Sequence, residues 1–505
     1  MSNQIRSGAI LTYLNIIVSI IVGFGYTPII LRLLGQAQYG VYSLIGSLVA
    51  YLSILDLGLG KAVIRYVAQN RIIGSKKREA ELNGLFLIIY SIIGFIALII
   101  GVFIYFNFDK IFENTFNSNQ LYIAKIMLLC LVINIAVSFP LSVFTSIIQA
   151  YERFVFLRII NIMSTFLKPT LALPFLYMGY GATFLVFTAT IINIVSLLIN
   201  LFYCIKFLNI KICFGKYKRN FLWEISGFSF FIFLGIIVDK IYWSTGQIII
   251  GKMLGPTQIA IYAIAIQFIT IYTQLSYAIG IVFFPRLTIL TSNNISKQEL
   301  LNLLVKTGRI TTFIVSYIIV VFYLVGEKFI FLWAGKDYLL AYDIILILML
   351  SMLISTIQSM FTAMLQAMNR NKYYSSVCIL SAIINIFLSI YLLNLYGIMG
   401  CAISTTISLL FSTGILMNRY YLKKLQLDIF FYWKQIFKIL PGIVIVLFFS
   451  NIIYRYFVNV YSWECFLSEV IIYTIIYIIV LYFISMNSYE KGFIRKIKNW
   501  ARNKE

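Results

Sequence analysis

The chain has 505 residues, of which 61% are hydrophobic and only 11% are charged, and its mean hydropathy is +0.95. Soluble proteins carry about 25% charged residues, so this composition excludes an ordinary soluble domain and predicts a protein embedded in a lipid bilayer. The chain contains no histidine, which excludes histidine-based metal sites and histidine general bases, and its formal net charge is +23.

Fourteen hydrophobic runs, each long enough to cross a bilayer, follow one another along the chain. The first is interpreted as a retained helix, because it is too long for a cleaved signal peptide and has no small-residue cleavage pattern. The six cysteines lie in or beside these runs without metal-like spacing and are interpreted as packing residues. We therefore predict an all-α polytopic membrane protein without a metal site. The predicted spans are 8–34, 40–60, 84–106, 121–150, 156–178, 180–205, 224–251, 258–284, 309–331, 339–367, 374–394, 397–418, 436–454 and 464–486.

Most of the 40 Lys and Arg residues lie in alternate connections between these spans. The positive-inside rule then places both termini in the cytoplasm. The positive charge is expected to face anionic lipid of the inner leaflet rather than nucleic acid. The tail "YEKGFIRKIKNWARNK" mixes aromatic and aliphatic residues with cations and is expected to rest on the same surface.

Two sequence motifs occur twice at nearly the same offset. "RLLGQAQYGVY" (32–42) aligns with "KMLGPTQIAIY" (252–262), with four of eleven positions identical. "FTSIIQAYER" (144–153) aligns with "FTAMLQAMNR" (361–370), with five of ten identical. The matches predict two parallel six-helix repeats, related by an axis along the membrane normal, plus two extra C-terminal helices. The predicted regions are an N-terminal lobe (1–207), a cytoplasmic linker (208–220), a C-terminal lobe (221–420), and spans 13 and 14 with the basic tail (421–505).

The motif "LLGQAQYGVYSL", followed by "LDLGLGKAVIRYVAQ", resembles the opening of the polysaccharide transporter family, the Wzx-type oligosaccharide flippases. Their superfamily also contains multidrug/toxin extruders and lipid II flippases. The resemblance covers essentially the whole chain in span number and order. It implies a V-shaped pair of helix bundles that opens alternately to the two sides of the bacterial cytoplasmic membrane.

The resemblance also implies a substrate class and partners. Such flippases move polyprenyl-pyrophosphate-linked oligosaccharides from the inner to the outer leaflet for surface polysaccharide biosynthesis, commonly with an ion gradient. A polysaccharide polymerase would be a further partner. No cofactor is expected beyond a gradient of H⁺ or Na⁺, and no catalytic residue is expected because the family performs no covalent chemistry.

Charged residues at the end of the second span form the first candidate site. In "LDLGLGKAVIRY" (55–66), Lys61 and Arg65 share a helical face and either snorkel to the interface or form a cytoplasmic gate for the incoming phosphates. Asp56 lies deeper and is a candidate for ion coupling. Arg153 and Arg370 end the duplicated "QAYER" and "QAMNR" motifs and are candidates for the same gate, although helix-terminal cations alone would explain them.

Lys168 and Lys240 are predicted at mid-depth in the membrane, one in each repeat. Lys168 precedes two prolines in "STFLKPTLALPF". Because a cation at mid-membrane costs about 2.5–3.5 kcal/mol on insertion scales, both lysines are expected to face a watery cleft or an anionic ligand rather than lipid. Each could instead pair with local polar groups and stiffen the bundle.

The residues after Lys240 extend this prediction to a polar stripe. Trp243, Ser244 and Gln247 follow Lys240 at helical spacing and are predicted to line the cleft with it as substrate-binding residues. Asp239 is a second ion-coupling candidate, or only a charge partner of Lys240.

Three other function classes compete with the flippase. A multidrug extruder of the same fold is the main alternative and would show a cavity of low charge. A membrane polymerase or ligase typically needs a large outward loop, whereas the longest here, "NFDKIFENTFNSNQ", is short and has no histidine. A structural scaffold would leave the mid-span lysines unexplained. We therefore expect a transporter and not an enzyme.

Overall fold

The computed structural model describes residues 2–215, 219–292, 296–368, 370–457 and 461–492. Within these ranges the chain forms helices and connecting turns, with no β-strand. The predicted all-α class is confirmed. The chain divides into two compact units, Met1–Ala263 and Ile264–Glu505. The repeated motifs predict a division at the linker 208–220, whereas the compact units divide after Ala263. Span 7 therefore belongs to the first unit.

Thirteen stretches of the described residues are long and apolar enough to cross a membrane. The first of them, Leu14–Ile73, contains both of the first two predicted spans. Its long helix has non-helical backbone angles at Gly35 (φ 69°, ψ 171°), between the two spans. The helices are therefore consistent with the fourteen predicted crossings.

The first unit begins with a long helix and a break. A serine or asparagine caps two of its later helices: the Ser75 side chain accepts from the backbone N–H of Arg78, and Asn117 and Gln120 form a capping box. The helices are α1 (Ser2–Leu52), a 3-10 turn (Ser53–Asp56), α2 (Leu59–Ile73), α3 (Lys76–Phe112), α4 (Ser118–Ala150), α5 (Phe154–Tyr177), α6 (Gly181–Lys206), α7 (Arg219–Met253) and the start of α8 (Pro256–Ser292).

Helices α1, α4, α5 and α6 pack together, and α3 and α2 pack on α4. The core between α2, α3 and α4 includes Val63, Phe86 and Ile147, whose side chains are inaccessible to solvent. The linker after α6 lies against the start of α3: the N–H of Cys213 donates to the carbonyl of Ala80 at 2.9 Å. The described part of the predicted linker is therefore held to the first unit.

The second unit contains the rest of α8 and several interrupted helices. Its remaining helices are α9 (Lys297–Trp333), a 3-10 turn (Lys336–Tyr338), α10 (Leu340–Ile357), α11 (Ser359–Ala367), α12 (Asn371–Tyr396), α13 (Ile398–Leu409), a π-helical segment (Leu410–Met417), α14 (Asn418–Lys423), α15 (Ile429–Phe437), α16 (Leu440–Phe457) and α17 (Trp463–Ile484).

Side chains of α15 satisfy polar groups at two of these interruptions. The buried Tyr432 hydroxyl donates to the carbonyl of Ile357, where α10 ends, at 3.0 Å. Trp433 Nε1 donates to Asn418 Oδ1 at 3.1 Å, and the same oxygen accepts from Gln358 at 2.7 Å. Broken helices leave backbone groups without their usual partners, so these contacts stabilise the interruptions.

Two buried ion pairs join α9 to α17 and to the segment that follows it. Lys328 Nζ lies 2.5 Å from Glu469 Oε1, with side chains 3% and 0% exposed. Arg309 contacts both carboxylate oxygens of Glu490 at 2.6 and 2.9 Å and also donates to the carbonyls of Gln435 and Ser485. The two extra C-terminal helices are thus bonded into the second unit.

The duplicated motifs have the same local structure in both copies. Gly35 and Gly255 both have positive φ, 69° and 91°, which glycine adopts without steric cost. In the second motif, the N–H of Arg153 donates to the carbonyl of Ile148 at 3.1 Å. The equivalent N–H of Arg370 donates to Leu365 at 2.8 Å. The repeated residues therefore mark repeated helix ends.

Candidate functional site

The second predicted span (40–60) is interrupted close to its end, beside the charged residue Asp56. Helix α1 ends at Leu52, the 3-10 turn covers Ser53–Asp56, and α2 begins at Leu59. Leu57 and Gly58 between them adopt left-handed conformations with φ of 52° and 72°. The signal for this break in the sequence is "DLGLG", two glycines in an apolar run that permit a bend.

Asp56 occupies this break and caps the helix that follows it. Its Oδ1 accepts a hydrogen bond from the hydroxyl of Tyr90 at 2.7 Å. The backbone N–H groups of Gly58 and Gly60, at the start of α2, also donate to the carboxyl group. The carboxyl group of Asp56 thus accepts hydrogen bonds from three donors at the N-terminal end of α2. Tyr90 is fully buried on α3 and had no signal in the sequence.

Helix α7 packs on α1 beside this break through a polar seam. Ser43 and Ser47 both donate to Gln247 Oε1 at 2.7 Å, and the hydroxyls of Tyr51 and Thr245 bond to each other. These pairs show that the two helices are antiparallel. The seam holds polar groups that would otherwise be unsatisfied in hydrocarbon.

The seam changes the interpretation of the predicted stripe. Ser244 and Gln247 are each only 6% exposed. They do not line an open cavity, because α1 covers the face of α7 that carries them. Trp243 is half-buried on the same helix. Only the part of the stripe nearer to Lys240 is therefore open to a ligand.

Lys240 lies level with the break. Tyr51 bonds to Thr245, and α1 and α7 are antiparallel. The residues after Tyr51, up to Asp56, therefore lie beside the residues of α7 that precede Thr245. The 3-10 turn contacts α7 accordingly. Lys240 Nζ is 3.7 Å from Asp239 Oδ2, with side chains 27% and 58% exposed. Asp239 is thus a charge partner of Lys240 in this structure, one of the two roles predicted for it.

Lys168 is exposed on α5. Ala172, one turn after it, is 2% exposed, whereas Leu171, about 60° away around the helix, is 46% exposed. Ser164, one turn before Lys168, bonds to Ser196 of α6 at 2.7 Å. The lysine therefore shares the face of α5 that packs against other helices of the first unit. Both predicted mid-depth lysines belong to that unit.

Two of the predicted gate cations lie on α2 and two lie where other helices begin. Lys61 and Arg65 are exposed one turn apart on α2, and the Arg65 guanidinium lies 5.8 Å from the ring centroid of Tyr66. Arg153 is exposed where α5 begins, in the first unit, and Arg370 is exposed where α12 begins, in the second. The gate role of these four residues stays a prediction.

Other contacts at this end of the first unit escaped the sequence analysis. Arg71 donates to the carbonyl of Ala150 at 2.7 Å and stacks over the ring of Tyr151. The Tyr151 hydroxyl donates to Glu79. Burial, followed by the charge of Glu79, raises the pKa of Tyr151, so the hydroxyl stays protonated and remains a donor. These contacts join α2 and α3 to the end of α4.

Among the described residues, no three His, Cys, Asp or Glu side chains lie together in a group that could hold a metal ion. The site therefore offers ammonium groups, one capped carboxylate, hydroxyls and amides. Such groups can bind an anion and sugar hydroxyls, or move with a coupled ion.

A family model identifies the family of the chain. The family described as "Polysaccharide biosynthesis protein" matches residues 5–291, more than half of the chain. The chain belongs to this family. The predicted recognition is confirmed, and with its membrane-spanning helices the chain is a multi-pass protein of the bacterial inner membrane.

Individual relatives agree with the family match. A putative O-antigen transporter of Shigella flexneri is 23% identical over 402 residues, which cover 77% of this chain and 91% of that protein. The lipid II flippase MurJ, in an inward closed conformation, has a TM-score of 0.71 at 18% identity and covers 94% of this chain and 98% of its own. An inward-facing multidrug resistance MATE transporter of the MOP superfamily has a TM-score of 0.62 at 14% identity, covering 81% and 99%. These similar structures share the fold.

Proposed function

We propose that this protein is a flippase that moves polyprenyl-pyrophosphate-linked oligosaccharide units from the inner to the outer leaflet by alternating access. The observation that carries the proposal is the exposed Lys168, one turn from Ser164 and Ala172 on the packed side of α5, in a member of a polysaccharide biosynthesis family. The name of the Shigella flexneri relative, an O-antigen transporter, supports the substrate class.

A pyrophosphate group gives a physical reason for these lysines. An ammonium group at mid-membrane costs about 2.5–3.5 kcal/mol on insertion scales unless water or an anion faces it. Lys168 is exposed, and Lys240 keeps 27% of its side chain exposed although Asp239 lies beside it. Each lysine can therefore reach a phosphate, and Trp243 lies near enough to Lys240 in sequence to contact a sugar. Gln247 supports the site by fixing α7 on α1 instead of binding the substrate, and Ser244 is buried on the same helix.

Asp56 is the better of the two ion-coupling candidates. It lies at a helix break, where backbone groups are free to reorganise, whereas Asp239 is 58% exposed and paired with its neighbour. Gain or loss of a cation at Asp56 would change the balance of its three hydrogen bonds and hence the angle between α1 and α2. Lys61, Arg65, Arg153 and Arg370 would then receive the substrate at the cytoplasmic surface, beside anionic lipid, and a polymerase would use the exported unit.

The proposal is tested by deleting the gene and complementing with variants. We expect the deletion to accumulate lipid-linked oligosaccharide in the inner leaflet. We expect Lys168→Ala and Lys240→Ala to fail to restore export at normal protein level, and Lys→Arg variants to retain part of it, because they keep the charge.

Lys125→Ala is the matched control. Lys125 also lies in a predicted span, but its ammonium pairs with Asp109 at 2.7 Å near the start of α4, so export should persist. Normal surface polysaccharide in the deletion strain, in a background without a redundant transporter, would refute the flippase. Export of amphiphilic drugs together with normal polysaccharide would favour the extruder of the same fold.

A further inference from the structure

A half-buried cluster of amide and hydroxyl groups lies between α4 and α6 of the first unit. Asn193 Nδ2 donates to Asn134 Oδ1 at 2.8 Å and to Ser138 Oγ at 2.9 Å. Ser138 Oγ donates to the same oxygen of Asn134 at 3.1 Å. All three side chains are partly accessible, so the cluster is open to a polar ligand.

The cluster lies level with Lys168. The hydroxyls of Ser164 on α5 and Ser196 on α6 bond at 2.7 Å, and these consecutive helices are antiparallel. Lys168 follows Ser164 by one turn, and Asn193 precedes Ser196 by about one turn, so both lie on the same side of that bond. Ile191 and Val195, each two residues from Asn193, are exposed on the opposite face of α6. Asn193 therefore faces the packed side of the helix, as Lys168 does on α5.

The cluster retains an acceptor that its neighbours do not use. No described residue donates to Asn193 Oδ1. A hydroxyl group of a bound ligand can therefore donate to this oxygen without displacing a protein partner.

The corresponding position of the second unit has no such opening. Asn385 follows Lys168 by the 217-residue offset of the second repeated motif. It is buried, donates to Thr405 at 3.0 Å and accepts from Ser389 at 3.2 Å. That amide serves helix packing alone, whereas the first unit has an exposed cation and half-buried amides at this level.

We propose that Asn134, Ser138 and Asn193 form a sugar-binding subsite beside Lys168. An amide offers donors and an acceptor in one plane and so matches adjacent sugar hydroxyls, while Lys168 takes the pyrophosphate or an acidic sugar. This subsite rests on the proposed function and adds to it the recognition of the sugar separately from the lipid pyrophosphate. Asn193 is its central residue because it bonds to both other members.

The experiment measures binding to the full-length protein in lipid nanodiscs. Two probes are compared: the lipid-linked oligosaccharides extracted from the producing cells, and bare polyprenyl pyrophosphate without sugar. We expect Asn193→Ala to weaken binding of the glycosylated probe about tenfold and to leave that of the bare probe unchanged.

Asn200→Ala is the matched control, since Asn200 bonds to Thr145 at 3.0 Å across the same pair of helices but is only 5% exposed. It should lower the melting temperature and leave both affinities unchanged. If Asn193→Ala leaves both affinities unchanged, as Asn200→Ala should, or weakens both probes equally, the subsite is refuted. If the wild-type protein binds neither probe, the proposed function itself fails.

Discussion

Asp56 has two properties: it is a charged residue within an apolar run, and it caps the start of α2. Its carboxyl group accepts from Tyr90 and from the N–H groups of Gly58 and Gly60. A cap requires only an acceptor, whereas ion coupling requires a charge that changes. Substitutions that separate these two properties can therefore assign its role.

Asp56→Asn should abolish the dependence of transport on an imposed ion gradient, because the amide keeps an acceptor but loses the charge. Tyr90→Phe removes one donor and keeps the charge, so it should lower the free energy of unfolding by about 0.5–1.5 kcal/mol and retain gradient-dependent transport. Both are measured as uptake of lipid-linked oligosaccharide into proteoliposomes. Gradient-dependent transport by Asp56→Asn at the wild-type rate would leave Asp56 as a cap only.

Helix α17 is bonded to α9 at both ends. Arg309 and Lys328 are 19 residues apart on α9, a distance of about 28 Å at 1.5 Å per residue, close to the thickness of the hydrocarbon core. Their partners Glu490 and Glu469 lie beyond and within α17, and Tyr317 and Thr474 bond between these points at 2.7 Å. The two C-terminal helices should therefore move with α9 as one element.

Breaking one of these ion pairs should destabilise the second unit strongly. Lys328→Met or Glu469→Gln leaves a buried partner uncompensated and should lower the free energy of unfolding by about 3–5 kcal/mol. The double variant Lys328→Met/Glu469→Met should recover most of this loss, because the pair is then replaced by apolar side chains. Thermal unfolding in detergent measures all three.

Lys125→Met is the control for that experiment, since its partner Asp109 has a 46% exposed side chain and water can replace the ion pair. Its melting temperature should stay close to that of the wild type. A single Lys328 or Glu469 variant with the wild-type melting temperature would contradict the proposed fixation of α17.

The whole molecule is organised by the alternation of basic and non-basic connections. This alternation predicts a cytoplasmic linker after span 6 and cytoplasmic termini. Cys213 in the linker is exposed, whereas Cys465 lies in the first turn of α17, at the opposite end of the last predicted span. These two native thiols report on the two sides of the membrane.

In variants that keep one cysteine each, a membrane-impermeant maleimide should label Cys213 in inside-out vesicles and not in intact spheroplasts. Cys465, which is half-buried, should show slower labelling with the opposite preference. The measurement is the fraction of labelled protein in each preparation. Labelling of Cys213 from the outside would reverse the predicted topology.

The fold was largely predictable from the sequence, while the site was predictable only in part. The long apolar runs correspond to the helices, and the duplicated glycines mark helix ends in both copies. That Lys168 avoids lipid stays a prediction. Lys328 is 3% exposed and paired to Glu469, 141 residues away, and nothing in the sequence near either residue indicates this pair.

The sequence by itself determined that this chain is an all-helical membrane protein of the polysaccharide biosynthesis family, because partition into lipid depends on each segment alone. Only the tertiary structure decided which polar side chains within the membrane form hydrogen bonds to neighbouring helices. Gln247 meets Ser47, 200 residues away, and Asp56 meets Tyr90 on another helix, so their roles depend on which helices are neighbours. Hydropathy cannot show such pairings, because an asparagine or glutamine has the same hydropathy whether or not its side chain is hydrogen-bonded to another helix.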